Sequence, residues 1–339
     1  MTSPEHLFAA WDEFKAEKRS KPDVMNFERD LELNIFELHR DLRDKTYTHG
    51  TYTGFYISDP KLRHIHKATV RDRVLHHAIF NLLNPLFEPG FIADSFSCRV
   101  GKGTHKGVER LKQMLRTVSR NNTRPCWVLK CDVRKFFDGI DHEILLGILE
   151  RRIKDPEVMW LLEEIVDSFP DPSRPSGVPI GNLTSQLFAN VYMNEFDQFV
   201  KQELKLKHYV RYTDDFIIIS TQKDELEKLL APIETFLHMH LRLRLHPDKT
   251  QIVKYREGVD FLGYVQFPHH RLMREKSRQR MMRKIRHIAS LYQHGAIEGT
   301  RMNATLQSYL GVLKHTYGHR LSETLKNRYW AELGPWRGK

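Results

Sequence analysis

Two β-rich arms, His208–Tyr212 and Phe216–Ile219, close on an acidic tight turn that carries Asp214 and Asp215. Their Val, Ile, Tyr and Phe content predicts paired strands. Adjacent carboxylates inside such a hairpin cost stability unless cations compensate them. A second segment has the same character. Trp127–Lys130 is a short apolar run that reads as a buried strand, Asp132 stands where it emerges, and Phe136 and Phe137 follow. Taken separately these are weak signals, because an Asp-Asp pair often serves only a turn and Asp132 alone reads equally as a helix cap or an ion-pair partner. Together they point to a chain that gathers carboxylates at strand ends to hold metal ions.

The rest of the chain supplies the scaffold. Helical periodicity runs from Ser3 to about Leu42, with a break expected at Pro22-Asp23. Tyr47–Ile57 alternates around Gly50 and Gly54 as a hairpin would, and the basic stretch from Lys61 to Arg73 leads into an apolar helix, Val74–Leu86. That basic stretch reads as a solvated face or as a cover for a phosphate-bearing ligand. Gly181 and small polar residues open the apolar helix Leu187–Val200; Asp224–Leu241 is an amphipathic helix; Leu241–Val253 reads as a strand pair interrupted at Pro247-Asp248-Lys249; and Val259–Phe267 is a further strand or hairpin. From Arg274 onward the pattern is helical.

Composition limits the function. At 339 residues with 40% hydrophobic content, the chain can bury a core, and its 54 Lys plus Arg against 43 Asp plus Glu give a formal charge of +11. A polyanion is the natural partner. Mean hydropathy of −0.54 and the lack of a long apolar run exclude a membrane span, and the N-terminal segment has no signal-like apolar core, so a cytoplasmic protein without membrane partners is expected. Cys98, Cys126 and Cys131 show no metal-ligand spacing and are expected to be buried, reduced thiols.

Tyr212-Thr213-Asp214-Asp215 resembles the YxDD box of reverse transcriptases, and four further blocks follow that family's order. Lys130–Phe137 resembles its first catalytic block, and Gly177–Gln186 the block that contacts the incoming nucleotide and template. Leu245–Thr250 and Gly258–Tyr264 resemble the two later palm blocks. The resemblance implies an α+β right-hand polymerase fold of fingers, palm and helical thumb, with an N-terminal helical extension at 1–45, interleaved fingers and palm at 46–268 and the thumb at 269–339. It also implies two Mg²⁺ ions, replaceable by Mn²⁺, held by Asp132, Asp214, Asp215 and the Val133 backbone. Two such ions roughly 3.5–4 Å apart suit nucleotidyl transfer.

Further roles carry over by position. Phe137 matches the steric gate that excludes a ribose 2′-hydroxyl, although a core phenylalanine is the plain reading, and Phe136 beside it is expected as a further dNTP contact. Arg63 resembles the fingers arginine that grips the triphosphate, with Lys61 as a lesser candidate; an arginine fork suits phosphate. Ile180, Gly181 and Gln186 fall in the nucleotide-contacting block, and Tyr212 beside the template-primer. Lys249 resembles the lysine that protonates departing pyrophosphate, with an exposed loop lysine as the rival reading. Arg274, Arg278, Arg283 and Arg286 lie in a segment with apolar Met281, Met282, Ile285 and Ile288, a pattern suited to a template-primer backbone.

Ile180-Gly181 and Ser185-Gln186 replace the Gln-Gly and Ser-Pro pairs usual in group II intron enzymes. With Asp94–Arg99 and Lys102–His105 upstream, this departure resembles the reverse transcriptases of diversity-generating retroelements. That resemblance implies error-prone copying of a structured noncoding RNA into cDNA from dNTPs, in a bacterial or phage-infected cell, with a small helical accessory protein. An antiphage defence enzyme with its own partner protein shares the chemistry, and a catalytically idle RNA-binding scaffold is the rival of another class. The 75 residues beyond Tyr264 leave room for a thumb but not for an RNase H or endonuclease domain of usual size.

Overall fold

The computed structural model describes residues 3–58, 62–169 and 175–333. Helix α1 (Pro4–Lys15) opens with Ser3, whose hydroxyl accepts from the His6 amide at 3.5 Å, and it buries Leu7, Trp11 and Phe14. Proline suits the first turn of a helix because its missing N–H would have no partner there. Pro22 accordingly begins α2 (Pro22–Arg29), and α3 (Leu31–Arg43) buries Ile35, Leu38 and Leu42.

The expected hairpin within Tyr47–Ile57 is corrected. Strand β1 (Thr53–Ile57) pairs antiparallel with β2 (Arg63–Lys67), so the second arm is the basic stretch itself. The physical reason lies in Asp72, a buried carboxylate in the first turn of α4 (Val70–Phe87). The Tyr47 hydroxyl donates to it at 2.8 Å and the Gly50 amide at 3.1 Å, which satisfies segment 47–50 without a ladder. A Cβ on Gly50 would stand 2.6 Å from the Thr69 methyl, so this approach requires glycine.

The chain continues through α5 (Thr104–Val118), β3 (Trp127–Asp132), α6 (His142–Arg152) and α7 (Pro156–Asp167), with Asp141 and Asp155 capping the last two. Helix α8 (Leu183–Gln198) runs into one π turn, and β4 (Tyr209–Tyr212) and β5 (Asp215–Ser220) form the acidic hairpin. Next come α9 (Lys223–Leu241), β6 (Gln251–Lys254), and an antiparallel meander of β7 (Val259–Phe261), β8 (Tyr264–Gln266) and β9 (Arg271–Met273). Helices α10 (Glu275–Gln293), α11 (Gly299–Leu313) and α12 (His319–Leu333) close the order. A four-stranded sheet runs β4-β5-β3-β6, with Trp127 opposite Lys254 and Lys130 opposite Gln251.

Two compact units share these elements. One comprises residues 1–101, 131–216 and 228–250; the other comprises 102–130, 217–227 and 251–339. In the first, α4 packs against α1 and α8, and α6 against α7 and α8, around buried Leu7, Trp11, Leu75, Leu149, Phe188 and Phe196. In the second, α10, α11 and α12 enclose Met281, Ile285, Ile288, Met302, Leu306 and Leu325. No helix among the described residues is long and apolar enough to cross a membrane. Cys126 and Cys131 are buried as expected, and burial pushes the Cys126 thiol up to about 12, whereas Cys98 is exposed, contrary to expectation. Cys98 has a left-handed backbone in the polar segment that follows Ser97.

Candidate active site

The acidic turn is built from behind. Arg211 is the one cation in the arm Tyr209–Tyr212 and is completely buried, an expensive placement unless the charge is matched. Asp197, on the last turn of α8 and equally buried, matches it with a two-point pair at 2.7 and 2.6 Å, and the Tyr209 hydroxyl donates to the same carboxylate at 2.7 Å. A remaining guanidinium N–H reaches forward to the Thr213 carbonyl at 2.9 Å, and the Thr213 and Ser97 hydroxyls bond at 2.6 Å. These contacts hold Thr213 at φ +57°, a left-handed conformation that β-branched residues resist. The tight turn is thereby fixed immediately before Asp214.

The carboxylates converge within the first unit. The Val133 amide donates to the Asp214 carbonyl at 3.2 Å, and the His246 amide to the Asp132 carbonyl at 2.7 Å, which anchors both acidic residues through their main chains. Burial, reinforced by the charge of Asp132, raises the pKa of the Asp214 carboxyl above the ordinary aspartate value; Lys249 and Arg63 oppose the rise. Lys249 places its ammonium 2.6 Å from an Asp132 oxygen. Asp215 begins β5, and its charge is felt at the buried Cys131 thiol, whose pKa burial raises well above the ordinary cysteine value.

Among the described residues no three His, Cys, Asp or Glu side chains stand close enough to form a metal cage by themselves. The donor set nevertheless fits Mg²⁺. That ion normally takes one or two carboxylates, keeps several waters and shares substrate phosphates in place of an all-protein cage. Oxygen donors, and a buried carboxylate destabilised by its neighbour, are what such a cation relieves.

Around this centre the other expected residues take distinct positions. Phe137 is half-buried in a single helical turn, its carbonyl accepts the Val178 amide at 2.9 Å, and its ring meets Phe136 edge-on at 5.3 Å. Phe136 itself is buried in the core, which corrects the expectation that it contacts the dNTP. The Ile180 carbonyl accepts the His66 amide at 3.2 Å, which ties the glycine turn to β2. Gly181 has φ +117°, and a Cβ there would come within 2.9 Å of the Ile65 side chain, so the strand approaches this closely only because residue 181 has no side chain. Gln186 is half-buried in α8, Tyr212 is half-buried at the end of β4, and Arg63 is exposed at the start of β2. Lys61 lies outside the described residues.

The basic segment belongs to the second unit and is only partly available. Arg274 donates to Asp260 at 2.8 Å and Arg278 to Glu275 at 2.8 Å, whereas Arg283 and Arg286 are exposed on α10. Sequence reasoning missed the Arg211–Asp197 pair. Its signal was a lone cation in a strand otherwise fit for burial.

A strand-end aspartate beside an acidic β-hairpin, with helices packed around it, defines a right-hand polymerase of the nucleotidyl-transferring class. Residues 58–266 match the family described as reverse transcriptase (RNA-dependent DNA polymerase), and the chain belongs to that family. It is 29% identical over 265 residues to protein YkfC of Escherichia coli K12, covering 67% of this chain and 68% of that protein. It is 24% identical to the group II intron-encoded protein LtrA of Lactococcus lactis subsp. cremoris, covering 69% of this chain and 49% of LtrA. A solved structure of telomerase from Candida albicans, in complex with a TWJ fragment of telomeric RNA, superposes with a TM-score of 0.50 at 13% identity; it covers 79% of this chain and 54% of that one, a likeness of fold. The chain thus spans about half the length of LtrA and of the telomerase.

Proposed function

We propose that the chain copies RNA into DNA at Asp132, Asp214 and Asp215, using residues 46–268 as fingers and palm and 269–339 as thumb. The primer 3′-oxygen attacks the dNTP α-phosphorus in line; the bond to the bridging oxygen breaks, pyrophosphate departs, and the 3′-hydroxyl proton passes to solvent water. When bound, two Mg²⁺ ions would stabilise the charge that develops on the attacking and leaving oxygens. The observation that carries this reading is the convergence of Asp132 and Asp214 with Lys249 in one unit. Asp132, Asp214, Asp215 and the Val133 carbonyl would hold the ions. The Lys249 ammonium is a proton source for the leaving pyrophosphate, Arg63 is a fork for the triphosphate, and Phe137 is a wall against a ribose 2′-hydroxyl.

Ile180 supports a finer assignment. A side chain that cannot hydrogen-bond removes a polar constraint on the nucleotide, which favours misincorporation in a diversity-generating retroelement. A structured noncoding template RNA, a cDNA primer strand and a small helical accessory protein would be its partners in the cytoplasm. One primer-extension experiment tests both levels. The chain should incorporate dNTPs on RNA only with Mg²⁺ or Mn²⁺, and the Asp214→Ala/Asp215→Ala variant should lose at least ~100-fold, in line with removal of dominant electrostatic stabilisation. Equal activity in both proteins refutes the metal assignment. Errors should concentrate opposite template adenine and fall in Ile180→Gln; a flat spectrum unchanged by that substitution leaves the polymerase and removes the diversifying role.

A further inference from the structure

A cavity of about 500 Å³ opens in the second unit, lined in part by Trp127, Pro125 and Pro268 and by the cations Arg124, Lys254 and Arg256. Among the described residues no carboxylate lines it and none of the three cations forms an ion pair. In a chain where Arg274, Arg278 and Arg271 are all neutralised by acidic neighbours, three cations gathered without one are ready for an anion. The walls are organised. Trp127 is half-buried at the start of β3, opposite Lys254 in the ladder, and the Lys254 ammonium stands 5.0 Å from its ring centroid. The Tyr255 amide donates to the Cys126 carbonyl at 2.9 Å, which continues the strand contact past the ladder.

A second part of the lining is fixed by hydrogen bonds. Arg120, Asn121 and Asn122 are three successive left-handed residues, an arrangement that persists only where the surroundings determine it. The Ser119 hydroxyl accepts the Asn122 amide at 2.9 Å, the Ser119 carbonyl accepts the Arg124 amide at 2.9 Å, and the Asn122 side chain donates to the Pro268 carbonyl at 3.0 Å. The cavity therefore brings an indole and two prolines together with clustered positive charge, with its volume inside the range of about 300–1,000 Å³ typical of small-ligand sites.

We propose that this cavity binds a nucleotide unit, with the base against Trp127 and the phosphate among Arg124, Lys254 and Arg256. An indole accepts any base because every base has a π-face, and guanidinium forks suit phosphate oxygens. The unit is a monophosphate free in solution or one residue of a single-stranded RNA, which are two sources of one chemistry. Its lining includes none of Asp132, Asp214 and Asp215, so it is testable in a protein that cannot polymerise.

The probe is a hexauridylate carrying 4-thiouridine, photocrosslinked to the full chain in an Asp214→Ala/Asp215→Ala background and mapped by mass spectrometry. Crosslinks are expected on the peptide containing Trp127. They should fall at least tenfold in Arg124→Ser/Arg256→Ser, whose altered side chains are both exposed, and return in Arg124→Lys/Arg256→Lys. Adenosine monophosphate that abolishes the crosslink at concentrations similar to the oligomer assigns the site to a free nucleotide; competition by oligomers alone assigns it to a strand. In the strand case the slope of log affinity against log salt should shrink by about 0.7 in the serine variant, since the one phosphate held here contributes about 0.7 on a single strand. A crosslink absent from this peptide, or indifferent to the two arginines, overturns the proposal.

Discussion

Arg211 has no solvent exposure, yet it reaches from Asp197 on one side to the Thr213 carbonyl on the other, immediately behind Asp214. Removing one partner of a buried ion pair strands the other charge, so Asp197→Ala should cost about 3–5 kcal/mol in urea denaturation. Replacing both with apolar residues of similar volume, Arg211→Met/Asp197→Leu, avoids that stranded charge and should restore part of the stability, short of the parent by about 1–3 kcal/mol for the buried Tyr209 hydroxyl left without its acceptor. It still releases the Thr213 carbonyl, so incorporation should remain down by up to about 100-fold, as a misplaced catalytic group implies. Recovery of activity together with stability would make the pair structural only. At this scale legibility was uneven. Asp132, Asp214 and Asp215 stood out because acids at strand ends are locally anomalous. Asp197 did not, because a carboxylate on a helix ordinarily faces water and its partner lies 14 residues away across a turn.

The elements were more legible where one face is buried along the whole length. Leu7, Trp11 and Phe14 mark α1, and Ile35, Leu38 and Leu42 mark α3, at helical spacing. The β1–β2 hairpin was misplaced because Gly50 looks like a turn residue but serves a close approach to α4, a tertiary fact that periodicity does not carry. Helix α4 also holds a residue whose chemistry follows from its burial. His76 is 1% exposed, neither ring nitrogen has a hydrogen-bond partner among the described residues, and it stacks on His49. Burial, with smaller contributions from His49, His77 and Arg73, pushes its pKa from 6.5 down to about 3. The folded chain therefore keeps this imidazole neutral while the unfolded chain protonates it below 6.5, so its contribution is complete above that pH and is lost as pH falls toward 3. In denaturation experiments between pH 6.5 and 5, before the carboxylates titrate, His76→Phe should flatten the loss by up to about 1.4 kcal/mol per pH unit. An unchanged slope would show that the imidazole is hydrated or paired in solution.

Across the whole molecule, the excess charge of +11 resolves into separate parts: an acidic centre in the first unit, and exposed Arg283 and Arg286 with the Arg124, Lys254 and Arg256 cluster in the second. The order of the family blocks was plain in the sequence, whereas the units were not, because their limits pass through the continuous elements β3, β5 and α9 and no linker composition marks them. This distribution makes thermal stability a test of the metal assignment that does not depend on turnover. Asp214 is a liability when ionised, since burial and Asp132 both disfavour its charge, with Lys249 and Arg63 compensating in part. A raised carboxyl pKa means that the folded state holds its proton to higher pH than the unfolded chain does; stability attributable to this group is therefore lower at neutral pH and recovers as pH falls through the folded value. Asp214→Asn removes that cost and should melt higher than the parent protein without divalent ions. Mg²⁺ at a hundred times its dissociation constant should stabilise the parent by about 2.7 kcal/mol, a rise of a few degrees at this chain length. The same addition should leave Asp214→Asn nearly unmoved, because the anionic donor is gone. An equal upward shift of the melting temperature in parent and variant would place the ion elsewhere.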